Sequence, residues 1–189
     1  MQITSLDAPE LQWANITVVP NFFPLDLLCE LNHSVNEQPD RKRMLTTGEG
    51  TPFPEPLNRA AILASKLICG INTAITKRYE PGVESQAFAM HFDPQEYQGG
   101  ILLCSLGNFA TLRVFDPYVG DIDVPCDTNT AVAMRADRQH SITPPLNLGS
   151  RNFLFFGHEC QEITAGDVKA PIPYMDVYAG LGDLFDIGF

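Results

Sequence analysis

A succession of short β-prone runs, separated by Gly, Pro, Asn and Asp, fills the chain from about residue 73 to residue 157 and most constrains its fold. Short strands that alternate with turn residues are typical of an antiparallel sandwich or barrel. A hairpin turn is predicted at Leu106-Gly107-Asn108-Phe109, because Gly and Asn tolerate positive φ. The predicted strands span residues 74–79, 87–93, 101–106, 110–115, 130–135 and 152–156.

The region before these strands carries a different pattern. Residues 16–19 form one short β-prone run, and apolar residues then recur at helical spacing over 25–35 and again over 57–71. Pro56 fits the start of the second helix. The polar stretch 38–56, rich in Gly and Pro, is predicted to be a loop that can form one wall of a pocket. Helices followed by strands predict an α+β fold in which N-terminal helices back one sheet.

The chain has 189 residues, of which 44% are hydrophobic, enough for one substantial core. We expect a single domain over residues 1–189, with helical support over about 1–72, a β core over about 73–160 and a C-terminal strap over about 161–189. No run of about eighteen apolar residues and no N-terminal secretory pattern is present, so a cytoplasmic protein without a membrane partner is expected. The five cysteines include no C-x-x-C pair, which argues against a structural zinc site or a disulfide framework.

The net charge of −11 works against nonspecific binding to nucleic acid. Such binding depends on Lys and Arg side chains that displace counterions from the phosphate backbone. The one basic run is Arg41-Lys42-Arg43, and a run this short is more often a solvated loop than a nucleic-acid contact. A nucleic-acid partner is therefore disfavoured by charge, although charge alone does not exclude it.

Two potential metal ligands stand two positions apart at the end of the second predicted strand. Because side chains two apart in a strand point the same way, His91 and Asp93 can bind one metal ion together. A His-x-Asp pair occurs by chance in many chains, but the later His140 supplies a second imidazole. Two imidazoles and one carboxylate leave three octahedral positions open, as in non-haem Fe(II) oxygenases. The pattern therefore predicts an iron site rather than a closed structural zinc site.

A candidate anion-binding residue, Arg151, opens the last predicted strand. A planar guanidinium can hold a carboxylate through two hydrogen bonds, so Arg151 is predicted to bind the distal carboxylate of 2-oxoglutarate. His158 is the rival metal ligand, but it follows the strand that Arg151 opens, and we favour a role at the surface or beside the site. His33, on the first predicted helix, is expected to be exposed.

These residues lie within a longer likeness to a known family. Over about residues 54 to 157 the chain resembles the AlkB-like branch of the Fe(II)/2-oxoglutarate-dependent dioxygenases. The stretches that carry the resemblance are Arg78-Tyr79-Glu80-Pro81-Gly82, His91-Phe92-Asp93, Ser105-Leu106-Gly107 with Ala110-Thr111-Leu112-Arg113, and His140-Ser141-Ile142-Thr143-Pro144-Pro145.

The resemblance implies a fold, a ligand set and co-substrates. The fold is a double-stranded β-helix (jelly-roll) core, here backed by the N-terminal helices. The implied iron ligands are His91, Asp93 and His140, and Arg151 and Tyr79 would contact 2-oxoglutarate. The implied cofactors are Fe(II), 2-oxoglutarate as co-substrate and dioxygen.

One departure from the family concerns the last strand. The family usually has Arg, Asn, Thr and Arg on the face of that strand that points into the barrel. The corresponding positions here are Arg151, Phe153, Phe155 and Gly157, and Lys77 replaces the asparagine that usually precedes the tyrosine by two positions. The second arginine is therefore missing, and Lys77 or Arg113 is predicted to substitute for it.

The predicted function is a dioxygenase that hydroxylates a C–H bond. The resemblance favours oxidation or demethylation of a modified nucleobase in DNA or RNA, which would require the base to be unstacked into a pocket. The acidic composition favours the alternative, hydroxylation of a small metabolite or a protein side chain. A non-catalytic jelly-roll binding module is a further alternative, because a fold does not determine function.

Overall fold

The chain forms an α+β structure in which two packed β-sheets are backed by helices. A computed structural model describes residues 15–38, 42–47, 51–80, 88–93, 97, 99–143 and 149–158. In chain order, these residues form β1 (Thr17–Pro20), α1 (Leu25–Asn36), β2 (Lys42–Thr46), α2 (Leu57–Ala64), β3 (Thr73–Tyr79), β4 (Phe88–His91), β5 (Gly100–Ser105), β6 (Ala110–Asp116), β7 (Gly120–Cys126), β8 (Thr130–Arg135), β9 (His140–Thr143) and β10 (Arg151–Gly157). None of the helices described is long and apolar enough to cross a membrane.

The strands form a large sheet and a small sheet. The large sheet has the order β1-β8-β5-β10-β3-β2, and the small sheet has the order β4-β9-β6-β7. The strand pairs in both sheets are antiparallel. Two such sheets face to face, with consecutive strands crossing between them, form the jelly-roll core that was predicted.

Strand alternation on β10 creates two hydrophobic cores. Phe155 packs between the two sheets with residues from the small sheet such as Leu112 and Val114. Leu154 and Phe156 point the other way and pack under the helices. Successive side chains of a strand face opposite sides of the sheet, so one strand contributes to both cores.

Helix α1 covers the outer face of the large sheet through the apolar stripe that its sequence predicts. Leu27, Leu28, Leu31 and Val35 are buried in the outer core. Full burial of a leucine side chain stabilises a fold by about 1.5–3 kcal/mol. The four buried side chains therefore contribute more to the stability of the fold than any single surface contact of the helix. On the exposed side, Arg59 of α2 makes ion pairs to Asp26 and Glu30 of α1.

The second helix is shorter than predicted. The helix was expected to reach about residue 71, but α2 ends at Ala64, and the chain continues in turns. The Ser65 hydroxyl donates a hydrogen bond to the Ile62 carbonyl, which offers the backbone an alternative to a further helical turn. Gly70, at φ +69°, then redirects the chain into β3.

Three strands were not predicted from the sequence. The first, β2, lies inside the stretch predicted to be a loop, so that prediction was wrong over residues 42–46. It pairs with β3 at the edge of the large sheet, and its polar sequence gains strand structure from that pairing. The others, β7 and β9, complete the small sheet on either side of β6.

The turn predicted at residues 106–109 exists, but it does not close a hairpin. Asn108 adopts φ 61°, as the sequence suggested. However, β5 belongs to the large sheet and β6 to the small one, so the segment carries the chain from one sheet to the other. The Pro144-Pro145 pair that follows β9 and the predicted C-terminal strap lie outside the described residues.

Candidate metal centre and co-substrate pocket

The two histidines of the predicted site are cross-strand partners. His91 is the last residue of β4, His140 is the first residue of β9, and the two pair directly in the sheet register. Their ring centroids are 4.5 Å apart. A register irregularity in β4 lies between Phe88 and His91, next to the site. Bulges of this kind re-aim side chains and are common beside active sites.

Asp93 completes the cluster from the segment that follows β4. Its Oδ1 lies 3.8 Å from Nε2 of His91 and 3.9 Å from Nε2 of His140. One potential ligand atom from each residue lies within 4.8 Å of the other two. The side chains of Asp93 and His140 are mostly buried, and that of His91 is partly exposed. The three predicted metal ligands therefore converge on one point.

Both imidazoles are oriented by main-chain carbonyls two residues earlier in the chain. Nδ1 of His91 lies 2.8 Å from the Ala89 carbonyl oxygen, and Nδ1 of His140 lies 3.0 Å from the Arg138 carbonyl oxygen. A neutral imidazole that donates from Nδ1 keeps the lone pair on Nε2. Both Nε2 atoms are thus left to bind a cation on the side where Asp93 lies.

The electrostatics of the cluster suit a bound cation. Burial raises the pKa of Asp93, although His140 and His91 oppose that shift. Burial also lowers the pKa of His140, so its neutral, ligating form is favoured. Asp93 Oδ2 is buried and has no hydrogen-bond partner among the described residues. A divalent cation would compensate the buried carboxylate, so the donor set fits iron.

A second group of predicted residues lies where β10 begins and β3 ends. Arg151 and Tyr79 are direct partners in the register of β10 and β3. The Arg151 guanidinium carbon lies 4.3 Å from the Tyr79 ring centroid, and Arg151 also hydrogen bonds to the Tyr79 hydroxyl. Nζ of Lys77 lies 4.3 Å from the same ring centroid. The predicted residues Arg151, Tyr79 and Lys77 therefore form one cationic cluster.

Desolvation governs the protonation of this cationic cluster. Arg151 is 1% exposed, although it carries a full charge. Burial, followed by the charge of Arg151, lowers the pKa of Lys77. Burial raises the pKa of Tyr79, which keeps its hydroxyl protonated. Two cations that are poorly solvated and close together favour an anionic ligand.

A cavity between the sheets connects Arg151 to the strand that carries His140. Arg151 and Phe153 contribute to its wall from β10, and Ile142 contributes from β9, two residues beyond His140. Ser105 and Cys126 line the same cavity and were not predicted as site residues. Ser105 lies opposite Phe153 in the register, but Ile101 to Ser105 are all buried, so no alternation within β5 marked it as a site residue. The remaining lining residues are Leu103, Ala110 and Leu112.

Arg113, the other predicted substitute for the missing arginine, lies elsewhere. Buried residues of β6 alternate with exposed ones, and Arg113 is on the exposed side. Its guanidinium makes two hydrogen bonds to Asp123 of β7, at 2.7 and 2.8 Å. It therefore points away from the cavity that Arg151 lines.

The two remaining histidines are not part of the cluster. His158 contacts the carbonyl of Gly70 through Nδ1. His33 is exposed on α1, as predicted. Among the described residues, the group of potential metal ligands consists of His91, Asp93 and His140 alone.

Comparison with known proteins identifies the fold. No protein-family model matches the sequence, and no curated protein matches it. Among solved structures, a Pseudomonas putida prolyl-4-hydroxylase is 14% identical with a TM-score of 0.56, covering 81% of this chain and 96% of that protein. A Trichoplax adhaerens prolyl hydroxylase in complex with a hypoxia inducible factor peptide fragment is 11% identical with a TM-score of 0.57, covering 79% of this chain and 86% of that protein. The chain therefore has the jelly-roll fold of these hydroxylases, and the neighbours give no support to the AlkB-like branch.

Proposed function

We propose that this protein is an Fe(II)/2-oxoglutarate-dependent dioxygenase that hydroxylates a C–H bond. The observation that carries the proposal is the convergence of His91, Asp93 and His140, with both Nε2 atoms directed towards Asp93 Oδ1. This facial set of two imidazoles and one carboxylate is the arrangement that non-haem Fe(II) oxygenases use. The shared fold with prolyl hydroxylases supports the same reaction class.

The reaction uses one molecule each of substrate, 2-oxoglutarate and dioxygen. Iron held by the three ligands would supply the activation of dioxygen that is coupled to decarboxylation of 2-oxoglutarate. One oxygen atom is incorporated into succinate, the other is inserted into the substrate C–H bond, and carbon dioxide is released. The chain's own contribution is to orient the reactants and exclude water, and the apolar walls around Ile142 and Phe153 suit the second task.

The cationic cluster of Arg151, Tyr79 and Lys77 is the proposed site for the distal carboxylate of 2-oxoglutarate. The guanidinium of Arg151 can bind both carboxylate oxygens, and its position on the Tyr79 ring fixes its plane. Lys77 flanks the same ring and provides the second positive charge. Lys77 would therefore substitute for the second arginine that the AlkB-like pattern would place on β10.

For the organic substrate, we propose a side chain of a peptide or protein. One neighbour that shares the fold is a prolyl hydroxylase in complex with a peptide fragment, and prolyl hydroxylation is the activity that both neighbours' names carry. Binding of a peptide does not require a basic groove, so this substrate class is compatible with the net charge of −11.

A modified nucleobase in DNA or RNA is the second candidate, because of the motif resemblance to the AlkB-like branch. The basic run Arg41-Lys42-Arg43, which could contact a nucleic-acid backbone, gives this candidate only weak support. Lys42 and Arg43 are adjacent residues of β2 and therefore point to opposite faces of the sheet. They do not form a continuous basic surface, so we rank this candidate below a peptide.

The test is succinate production by the purified protein with Fe(II), 2-oxoglutarate, ascorbate and air. A set of proline-containing peptides and a set of methylated oligonucleotides would be added in separate reactions, and the products analysed by mass spectrometry. His91→Ala is the inactive control. His33→Ala is its matched control, because it removes an exposed histidine that lies outside the cluster.

Succinate production that requires His91 but not His33 would support the dioxygenase. A peptide product heavier by one oxygen atom would support the proposed substrate, whereas stimulation and demethylation of an oligonucleotide would favour the nucleobase. Absence of both succinate production and iron binding would refute the proposal and favour the non-catalytic binding module.

A further inference from the structure

We propose that Asp116 is a positioning residue for the metal ligand His140. It holds Arg138 in place, and the Arg138 carbonyl in turn holds the imidazole of His140 with Nε2 directed at the metal. The inference rests on the proposed function, because it assigns a role to residues outside the cluster in binding the iron. Neither Asp116 nor Arg138 was identified as a site residue from the sequence.

Asp116 is a charged residue in a buried position. It ends β6 and is 1% exposed. Its Oδ2 lies 2.7 Å from Nη1 of Arg138, an ion pair between two largely buried side chains. Its Oδ1 accepts hydrogen bonds from the backbone N–H groups of Tyr118 and Val119, at 2.8 and 3.1 Å. The carboxylate therefore joins the β6–β7 turn to the segment that precedes β9.

Arg138 links this carboxylate to the metal cluster through its own backbone. Its side chain is largely buried against Asp116, while its carbonyl oxygen lies 3.0 Å from Nδ1 of His140. The neighbouring Gln139 carbonyl accepts a hydrogen bond from the Phe115 N–H at 2.8 Å. The backbone that orients His140 is thus attached to the end of β6 by one main-chain bond and one ion pair.

The other histidine differs in how its carbonyl partner is fixed. The Ala89 carbonyl that orients His91 belongs to β4, between the two register pairs Phe88–Ile142 and His91–His140 that hold the strand on either side of it. Arg138, by contrast, lies in the turn between β8 and β9 and not in a strand. A carbonyl in a turn is held by fewer hydrogen bonds than one within a strand. The ion pair between Arg138 and Asp116 therefore supplies a restraint on the Arg138 carbonyl that the turn itself lacks.

A purely structural role, stabilisation of the β6–β7 turn, makes a different prediction. Asp116→Asn retains an Oδ1 acceptor for the Tyr118 and Val119 N–H groups but removes the charge that binds Arg138. If Asp116 only stabilises the turn, this variant binds metal normally. If Asp116 positions His140, metal binding weakens while the turn remains.

The experiment measures Co(II) binding to the metal-free protein, residues 1–189, by titration, together with the Co(II) absorption spectrum. We expect about 10–100-fold weaker binding and an altered spectrum for Asp116→Asn, the usual effect of losing a residue that supports a metal ligand. The matched control is Asp123→Asn, which breaks the exposed Arg113–Asp123 pair between β6 and β7 and should bind Co(II) as the wild type does.

Two further variants keep the test decisive. Arg138→Gln leaves the Asp116 turn contacts in place, and should weaken Co(II) binding even if Asp116→Asn folds poorly. The double variant Asp116→Asn/Arg138→Gln restores a neutral hydrogen-bonding pair, and should recover part of the lost affinity.

The outcomes separate this inference from the proposed function. Wild-type protein that binds no Co(II) would refute the metal centre itself. Wild-type binding that is unchanged in folded Asp116→Asn or in Arg138→Gln would overturn the positioning role alone. Weaker binding in both single variants, with partial recovery in the double variant and none lost in Asp123→Asn, supports it.

Discussion

His91 and His140 face each other across β4 and β9 as direct register partners, with ring centroids 4.5 Å apart. This pairing explains how residues 49 positions apart in the sequence can form one metal site. The small sheet fixes the two backbones, and the main-chain carbonyls of Ala89 and Arg138 fix the two rings. The sheet register and the two carbonyl contacts therefore set the positions and the ring orientations of both histidines.

Replacement of His140 by alanine should abolish iron-dependent turnover and metal binding. His140 is 3% exposed, so truncation also leaves a small cavity, and we expect a loss of about 1–2 kcal/mol in the free energy of unfolding. Succinate production and chemical denaturation of the metal-free protein would measure the two effects. Normal turnover in His140→Ala would contradict the assigned ligand set. The control is His158→Ala, which changes a histidine outside the cluster and should be as active as the wild type.

Replacement of Arg151 by methionine should raise the KM for 2-oxoglutarate. A hydrogen-bonded charged contact contributes about 1.5–3 kcal/mol, which corresponds to at least a tenfold change in KM. Arg151→Lys should recover only part of the loss, because an ammonium group cannot form the two parallel hydrogen bonds of a guanidinium.

Arg113→Met is the matched control for Arg151→Met. Arg113 is an exposed arginine on the outer face of β6, paired with Asp123. We expect its KM for 2-oxoglutarate to equal that of the wild type within experimental error. A raised KM in Arg113→Met together with a normal KM in Arg151→Met would reverse our assignment of the co-substrate pocket.

The metal cluster could be predicted from the sequence because it depends on simple strand geometry. Alternation along a strand predicted over residues 87–93 places His91 and Asp93 on the same side, and His140 from another strand completes the set. The cluster forms as predicted, although β4 ends at His91 and Asp93 lies in the segment that follows it. The placement of Arg113 could also have been predicted. It alternates with the buried Leu112 and Val114, a pattern that places it on the outer face of β6.

Other features depend on tertiary contacts that the local sequence does not encode. The polar strand β2 exists because it pairs with the edge of β3. The alternation of Ile122 and Val124 with Asp121 and Asp123 is a signal for β7, but Pro125 obscures it. Proline is tolerated there because β7 is at the edge of its sheet. The link from Asp116 to His140 passes through a turn, and no spacing rule would identify it.

The cysteines should divide into two classes in thiol labelling. Cys29 and Cys69 are exposed, whereas Cys104 and Cys126 are buried. Burial raises the pKa of Cys126 to about 11 and also raises that of Cys104, so neither forms much thiolate near neutral pH. In a Cys160→Ser background, an aromatic disulfide reagent at about pH 8 should label two thiols rapidly and the other two only after unfolding. Rapid labelling of all four would contradict the packing of β5 and β7.

The contribution of Asp116 to stability should depend on pH in a defined direction. Burial alone would raise its pKa, but the Tyr118 and Val119 N–H groups and the charge of Arg138 outweigh burial and hold the pKa below its usual 3.8. Because the folded-state pKa is lower than the unfolded one, the stabilising effect is fully present above the unfolded pKa and is lost as pH falls through the folded pKa.

Asp116→Asn should therefore be less stable than wild type by about 1–3 kcal/mol at neutral pH, the usual cost of disrupting a buried hydrogen-bonded partner. The difference should hold down to about pH 5 and shrink below about pH 4, as the wild-type carboxylate becomes protonated. Urea denaturation of wild type and Asp116→Asn, both metal-free, across this pH range would measure the difference in stability.

Asp123→Asn should show a much smaller difference from wild type, because the ion pair of Asp123 with Arg113 is exposed and screened by solvent. A difference for Asp116→Asn that does not change with pH would mean that the ionised carboxylate is not what stabilises this corner of the fold.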